Sequence, residues 1–198
     1  MRLEKIEYSE NRRKPEKAAS YDTKYQKELH KRLSDWREKN LLESLLRKTG
    51  IQEIVLDVPC GAGRLSPVIA EHARRLFEVD YSLEMLKLCR KNAVTYTPFT
   101  AQASAFQLPF ADRTFDLAVS IRLSHHIPDH EGRKDHVREM LRVSKRFVLL
   151  TFFGEESLKN RLRNLHRSLG GKKRAKLTLR LSEVEELARG ASFRVVAV

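Results

Sequence analysis

The 198-residue chain predicts a single doubly wound α/β domain with a mostly parallel sheet. Three observations carry that expectation. From about residue 50 onward short apolar runs alternate with amphipathic segments, with no internal period of repetition. The runs are continuously apolar, as in parallel strands covered on both faces. Two of them end in an aspartate, Asp57 and Asp80, and the first is followed by the glycine-bearing turn Pro59-Cys60-Gly61-Ala62-Gly63, the local form of a strand–loop–helix nucleotide cradle.

Composition narrows the class. The length suits one domain able to bury its own core without metal or disulfide staples. Lys and Arg number 39 against 26 Asp and Glu, a formal charge of +13, which places nucleic acid and anionic membrane surfaces among the partners to test. Cys60 and Cys89 have no companion Cys/His cluster in sequence, which argues against a metal site or a disulfide framework and suits a reducing cytoplasm. The longest apolar run, Phe147 to Phe153, is too short to span a bilayer, and the N-terminus has no signal-peptide core.

In chain order, residues 1–20 are polar and charged and are expected to form a mobile arm. Residues 21–49 carry apolar positions at near-helical spacing, bent or broken near Asn40, and are expected to form a helical lid in which Trp36 and the tyrosines pack inward. Glu53 to Asp57 reads as the first strand, Leu65 to Arg75 as a helix, Leu76 to Asp80 as the second strand, and Ser82 as the cap of the helix carrying Leu83, Met85, Leu86 and Leu88. Phe99 to Ala103 is the third strand and Thr114 to Ser120 the fourth. His125-His126-Ile127-Pro128-Asp129 lies beyond its C-terminal end, where open α/β sheets keep their ligands. A helix over Glu131 to Val143, a strand over Arg146 to Phe153, a helix opened by a Ser182/Glu185 capping box and a last strand over Phe193 to Val198 follow. Between them, residues 155–176 form a basic insertion with eight lysines and arginines against two glutamates, read either as a solvated helix broken at Gly170-Gly171 or as an anion-contacting flap. The domain is thus 21–198, with the lid at 21–49 and the insertion at 155–176.

The glycines matter chemically because they let the backbone approach a ligand closely. As a dinucleotide fingerprint the turn is poor, since Ser66 stands where a third glycine would be. The ordered set is more specific: Leu56-Asp57-Val58-Pro59-Cys60-Gly61-Ala62-Gly63, then Val79-Asp80-Tyr81-Ser82-Leu83-Glu84-Met85-Leu86, then Gln107-Leu108-Pro109-Phe110 through Phe115-Asp116, then His125-His126-Ile127-Pro128-Asp129. On these motifs the chain, from about residue 50 to 153, resembles the class I S-adenosylmethionine-dependent methyltransferases, in particular the branch with the ubiquinone- and menaquinone-biosynthesis enzymes.

The resemblance implies a Rossmann-like fold and S-adenosylmethionine as cofactor, leaving as S-adenosylhomocysteine. It implies that Asp57 faces the methionine amino group, that Pro59, Gly61 and Gly63 form the turn beneath the carboxylate and ribose, that Asp80 accepts from both ribose hydroxyls, and that Tyr81 packs beside the adenine. The family usually has an acid near position 104 for the adenine amino group; this chain has Ser104, so that contact falls to Ser104 or to backbone near Ala105. His125 or His126 would serve as a base where the acceptor must lose a proton, against the plainer reading of a loop-packing pair; Arg122 would meet an anionic acceptor or the cofactor carboxylate. No Asn/Asp-Pro-Pro-aromatic motif is present, which argues against the amide- and adenine-N-methylating classes. The expected acceptor is a small-molecule or lipid-linked anion, with an RNA acceptor and a noncatalytic RNA- or partner-binding protein on the same fold as rivals, and a nicotinamide oxidoreductase as a weaker third. The family's sheet usually ends in an antiparallel hairpin, of which this chain supplies only the strand at Phe193 to Val198; the expectation is a truncated or six-stranded sheet whose incomplete edge favours self-association.

Overall fold

The computed structural model describes residues 29–155, 168 and 178–196. The arm at 1–20, the first residues of the lid and nearly all of the basic insertion lie outside the described residues. Within them the chain runs α1 (Leu29–Thr49), β1 (Gln52–Asp57), α2 (Ser66–Ala70), β2 (Ala73–Asp80), α3 (Leu83–Asn92), β3 (Phe99–Gln102), β4 (Phe115–Ser120), a 3₁₀ turn (Ser124–His126), α4 (His130–Val143), β5 (Ser144–Leu150) and α5 (Leu181–Gly190). The five strands form one sheet in the order β3-β2-β1-β4-β5, every pairing parallel.

Both faces of this sheet are covered, as the unbroken apolar strands require. Val55, Leu117 and Val119 pack with Leu42 and Leu46 of α1 and Ile69 of α2. Leu56, Phe115 and Ala118 point the other way, against Met140 and Val143 of α4. A register shift between Phe115 and Leu117 puts Phe115 and Ala118 on one face despite their odd spacing. The chain order reverses between β1 and β4, so a crevice opens at the C-terminal ends of the central strands.

Several local expectations are corrected. Helix α1 runs unbroken through Asn40, because Leu42 and Leu46 are buried on the sheet and their packing outweighs the modest helix penalty of one Asn. Trp36 does not pack inward: it is 60% exposed, on the side of α1 away from Leu42. Helix α2 ends at Ala70, since residues 73–75 join the ladder beside Gln52 and Ile54, lengthening β2 at the helix's expense. The last helix starts at Leu181: the Glu183 side chain accepts from the Arg180 N–H at 2.9 Å and meets His130 of α4 at 2.8 Å, which places the cap two residues earlier than Ser182. Residues 193–196 are not a strand. The Phe193 N–H closes α5 by donating to the Ala188 carbonyl at 2.7 Å and its ring packs on the α4–α5 cluster, so the sheet has five strands among the described residues. The Ser82 cap stands as expected, its hydroxyl accepting from the Met85 N–H.

Candidate functional site

One cleft opens at the strand C-termini around the switch point. Its walls include Asp57, Pro59 and Gly61 of the first turn, Asp80 and Tyr81 after β2, Ser104 and Ala105 after β3, and Arg122 after β4. Segments 17 to 65 positions apart in sequence meet there because parallel strands deliver all their C-terminal ends to one edge. Gly63, His125 and His126 stand outside the cleft lining. Gly63 lies over Cys89; the two histidine rings are 4.0 Å apart and His125 is 4.9 Å from the Phe153 ring.

The first turn is built by backbone geometry. Gly61 and Gly63 have φ of 57° and 78°, and a Cβ on Gly63 would come within 2.9 Å of the Cys89 Sγ. The peptide between Val58 and Pro59 is cis. Gly63→Ala therefore combines a left-handed alanine with a collision against a fully buried thiol, and is expected to lower the unfolding free energy by about 2 kcal/mol, read from the urea midpoint. Cys60 and Cys89 are both free thiols. Their mutual hydrogen bond, with burial, pushes the Cys60 thiol well above its ordinary range, which disfavours the thiolate there.

The acids form a buried group. Asp80 accepts from the Gly61 N–H at 2.9 Å through Oδ2 and from the Ser82 N–H at 2.8 Å through Oδ1, so it ties the first turn to the start of α3. A carboxylate accepts about four hydrogen bonds, which leaves capacity for a ligand diol. Asp57 is 4% exposed. Burial first, then the negative charges of Glu78 and Asp80, push its carboxyl up to about 8. Glu78 was overlooked in the sequence, although a charge inside an otherwise apolar strand was the available signal. It is fully buried and accepts from the Cys89 thiol at 2.7 Å and the Tyr96 hydroxyl at 3.1 Å. Asp57 and Asp80 in the cleft lining, with the Glu78 charge behind them, make an environment that a cationic ligand stabilises.

The loop after β3 is held by His136, another residue the sequence left unremarked. It is buried in α4, its Nδ1 lies 3.1 Å from the Ala105 carbonyl and its Nε2 2.9 Å from the Ser120 hydroxyl. A carbonyl only accepts, so Nδ1 carries the proton and Nε2 accepts from Ser120. Burial pushes this imidazole down to about 4 from 6.5. Because the folded value lies below the unfolded one, the contribution to stability is present above about pH 6.5 and is lost as pH falls to 4. The difference in urea midpoint between wild type and His136→Gln is expected to shrink over that window and stay flat above it. Ser104 accepts from the Phe106 N–H at 3.3 Å, a turn bond within its own loop.

Two arginines, Arg64 and Arg122, also line the cleft. Glu38 of α1 bonds Arg64 Nη2 at 2.5 Å and Arg122 Nε at 2.7 Å, while Asp35 pairs with Arg64 and, at 3.0 Å, with Lys39. Burial works against ionisation of Asp35, but the bonds from Arg64 and Lys39 outweigh it and hold the carboxyl below its ordinary range.

A switch-point cleft with carboxylates ending β1 and β2, on an all-parallel sheet of this order, is the arrangement of a Rossmann-like nucleotide-binding α/β protein. The comparison with known proteins agrees. Residues 56–152 match the family model described as a methyltransferase domain. The chain is 34% identical over 91 residues to a demethylmenaquinone methyltransferase of Renibacterium salmoninarum, covering 46% of this chain and 36% of that protein. It is 30% identical over 108 residues to a tRNA (carboxymethyluridine(34)-5-O)-methyltransferase of Arabidopsis thaliana, covering 52% and 24%. Magnesium protoporphyrin IX methyltransferase of Synechocystis PCC 6803, solved with bound S-adenosylhomocysteine, superposes with a TM-score of 0.70 at 15% identity over 86% of this chain and 80% of that one. The chain spans between 24% and 53% of the length of the curated relatives it matches. Residues 56–152 are thus similar to the methyltransferase domain family, and two solved structures that share the fold hold S-adenosylhomocysteine or S-adenosylmethionine. No described helix is long and apolar enough to cross a membrane, and no group of metal-ligating side chains occurs among the described residues.

Proposed function

We propose that this protein transfers the methyl group of S-adenosylmethionine to a small-molecule or lipid-linked acceptor in the cytoplasm. The observation that carries the reading is the buried acid pair, Asp57 and Asp80, meeting at the strand switch point. A zwitterionic sulfonium nucleoside offers what this wall lacks, an ammonium for Asp57 and a vicinal diol for Asp80. Tyr81 would flank the adenine, and the Ser104–Ala105 loop, positioned by His136, would contact its edge. Pro59 and Gly61 would shape the floor, with Gly63 supporting the turn from its place over Cys89.

Methyl transfer from a sulfonium is an in-line displacement: the acceptor atom forms its bond to the methyl carbon as the carbon–sulfur bond breaks and its electron pair stays on sulfur. Orientation and water exclusion supply most of what such a step needs. Helix α1, with its ion pairs to Arg64 and Arg122, would be the inner part of a lid over the acceptor. His125 and His126, just past β4, would act as base only for an acceptor that must lose a proton, with a role in packing the loop otherwise. The chain is read as one domain over 21–198.

The test is incubation of the protein with methyl-labelled S-adenosylmethionine and a fractionated cell extract. Label in an extractable small molecule or lipid supports the proposal; label in RNA selects the second reading, which the +13 charge and the similarity to a tRNA methyltransferase favour. Label in neither, with no measurable cofactor affinity, would leave a noncatalytic protein on this fold.

A further inference from the structure

The cleft lining carries both signs of charge, with Asp57 and Asp80 among its acids and Arg64 and Arg122 among its bases. The single carboxylate of Glu38 serves both arginines, at 2.5 and 2.7 Å. Asp35 is divided between Arg64 and Lys39. All four side chains of the Arg64, Arg122, Asp35 and Glu38 set are at most 35% exposed, so the pairs are drawn partly out of water, where charge pairing is stronger than at an open surface.

Arg122 is also set in an uncommon backbone conformation. Its φ is 63°, a left-handed value that strains a residue bearing a Cβ and tends to mark sites where the surrounding structure holds a side chain in place. The hold is visible: its N–H donates to the Thr151 hydroxyl at 2.8 Å, which fixes the backbone two residues beyond the end of β4. β1 stands between β2 and β4 in the sheet, so that position is set apart from Asp80 at the end of β2.

We propose that Arg122 and Arg64 form an oxyanion subsite for the methyl acceptor and that Glu38 occupies it as a stand-in when no acceptor is bound. This rests on the methyltransferase reading above and adds to it a substrate class, an acceptor carrying a carboxylate or phosphate. Exchange of one oxyanion for another keeps both guanidinium groups paired, so it avoids the cost of leaving a partly buried charge alone. Displaced from the arginines, Glu38 would carry the adjoining turn of α1 outward and open the cleft; loss of the anion would let it return. Planar guanidinium groups suit carboxylate and phosphate geometry.

The chain carries its own reporter, because its one tryptophan, Trp36, lies on α1 between Asp35 and Glu38 and is largely exposed. The experiment titrates inorganic phosphate, and separately acetate, into protein saturated with S-adenosylhomocysteine, following Trp36 emission against sodium chloride at equal ionic strength. Wild type is expected to respond to the oxyanions and not to chloride. Glu38→Gln is expected to bind phosphate at least about tenfold more tightly, since a competing charged partner has been removed, and Glu38→Gln/Arg122→Gln is expected to lose that gain. Phosphate and acetate arms distinguish the two acceptor chemistries by which binds more tightly. Equal responses to chloride and to both oxyanions in wild type, no tightening in Glu38→Gln, or the same tightening in the double variant would each overturn the subsite. Competition of phosphate with S-adenosylhomocysteine would overturn it too, by assigning the arginines to the cofactor's own carboxylate. Failure of S-adenosylhomocysteine to bind wild type at all would instead sink the methyltransferase reading, so the two failures are separable.

Discussion

Asp80→Ala is expected to weaken S-adenosylmethionine binding by at least about a hundredfold in isothermal titration. Two hydrogen bonds from the ribose hydroxyls to an ionised acceptor contribute about 1.5 to 3 kcal/mol each, and about 2.7 kcal/mol is already a factor of a hundred in the dissociation constant. The same substitution strands the Gly61 and Ser82 N–H groups that Asp80 now accepts from at 2.9 and 2.8 Å, so the turn itself loosens. Asp80→Asn separates the two effects, because it keeps a side-chain oxygen for one backbone donor while giving up the charge and one acceptor. It should retain most of the stability and still lose most of the affinity. Unchanged binding in both variants would remove Asp80 from the cofactor site.

Asp57→Asn is expected to make the ligand-free protein more stable at pH 8 while it weakens cofactor binding. With its folded value pushed from 3.8 up to about 8, this carboxyl contributes its full stability below about pH 4, and that contribution is lost as pH rises to 8. An amide in its place has no charge to bury. The variant's thermal midpoint should therefore rise relative to wild type across pH 4 to 8, by at least about 3 °C at the top of that range, and the difference should be constant beyond it. Binding carries the opposite sign. An ammonium beside Asp57 favours the carboxylate, so wild type should release close to one proton on binding S-adenosylmethionine at pH 7, detectable as a dependence of the measured enthalpy on the buffer's ionisation enthalpy. Affinity should climb by up to about tenfold per pH unit toward 8, where the ligand's α-amino group begins to lose its own proton. Asp57→Asn should show neither the proton release nor the climb. A stability gain without any change in affinity would make Asp57 a strained acid with no ligand role.

Much of the central fold could be read from local signals. The apolar runs at 53–57 and 114–120, the Ser82 cap and the paired acids at Asp57 and Asp80 each reflect a short-range rule, an unbroken run for a doubly covered strand or a hydroxyl placed three residues before an orphan N–H. Boundaries that depend on distant partners were less legible. Residues 73–75 have a helix-compatible pattern, yet they extend β2 because β1 offers them a ladder. Phe193 to Val198 has a strand's composition, but the Phe193 N–H is taken by the Ala188 carbonyl and 193–196 form no strand. Trp36 matches a packing stripe in spacing and is exposed in the fold, because periodicity reports that a helix has faces and leaves open which one the sheet covers.

The glycine-bearing turn, the two strand-end aspartates and the order of the motifs were present in the linear chain, since backbone dihedral freedom and strand termination are properties of neighbouring residues. Four features of the cleft required the tertiary structure: the burial that raises Asp57, the hidden Glu78 that adds to it, the His136 bridge from Ser120 to Ala105, and the Glu38 bridge from Arg64 to Arg122. Each joins residues many positions apart, or depends on how far water is excluded. Coulomb attraction and desolvation act through space, so the sequence names the charged groups while the packing of α1 and α4 against the sheet determines which of them face one another.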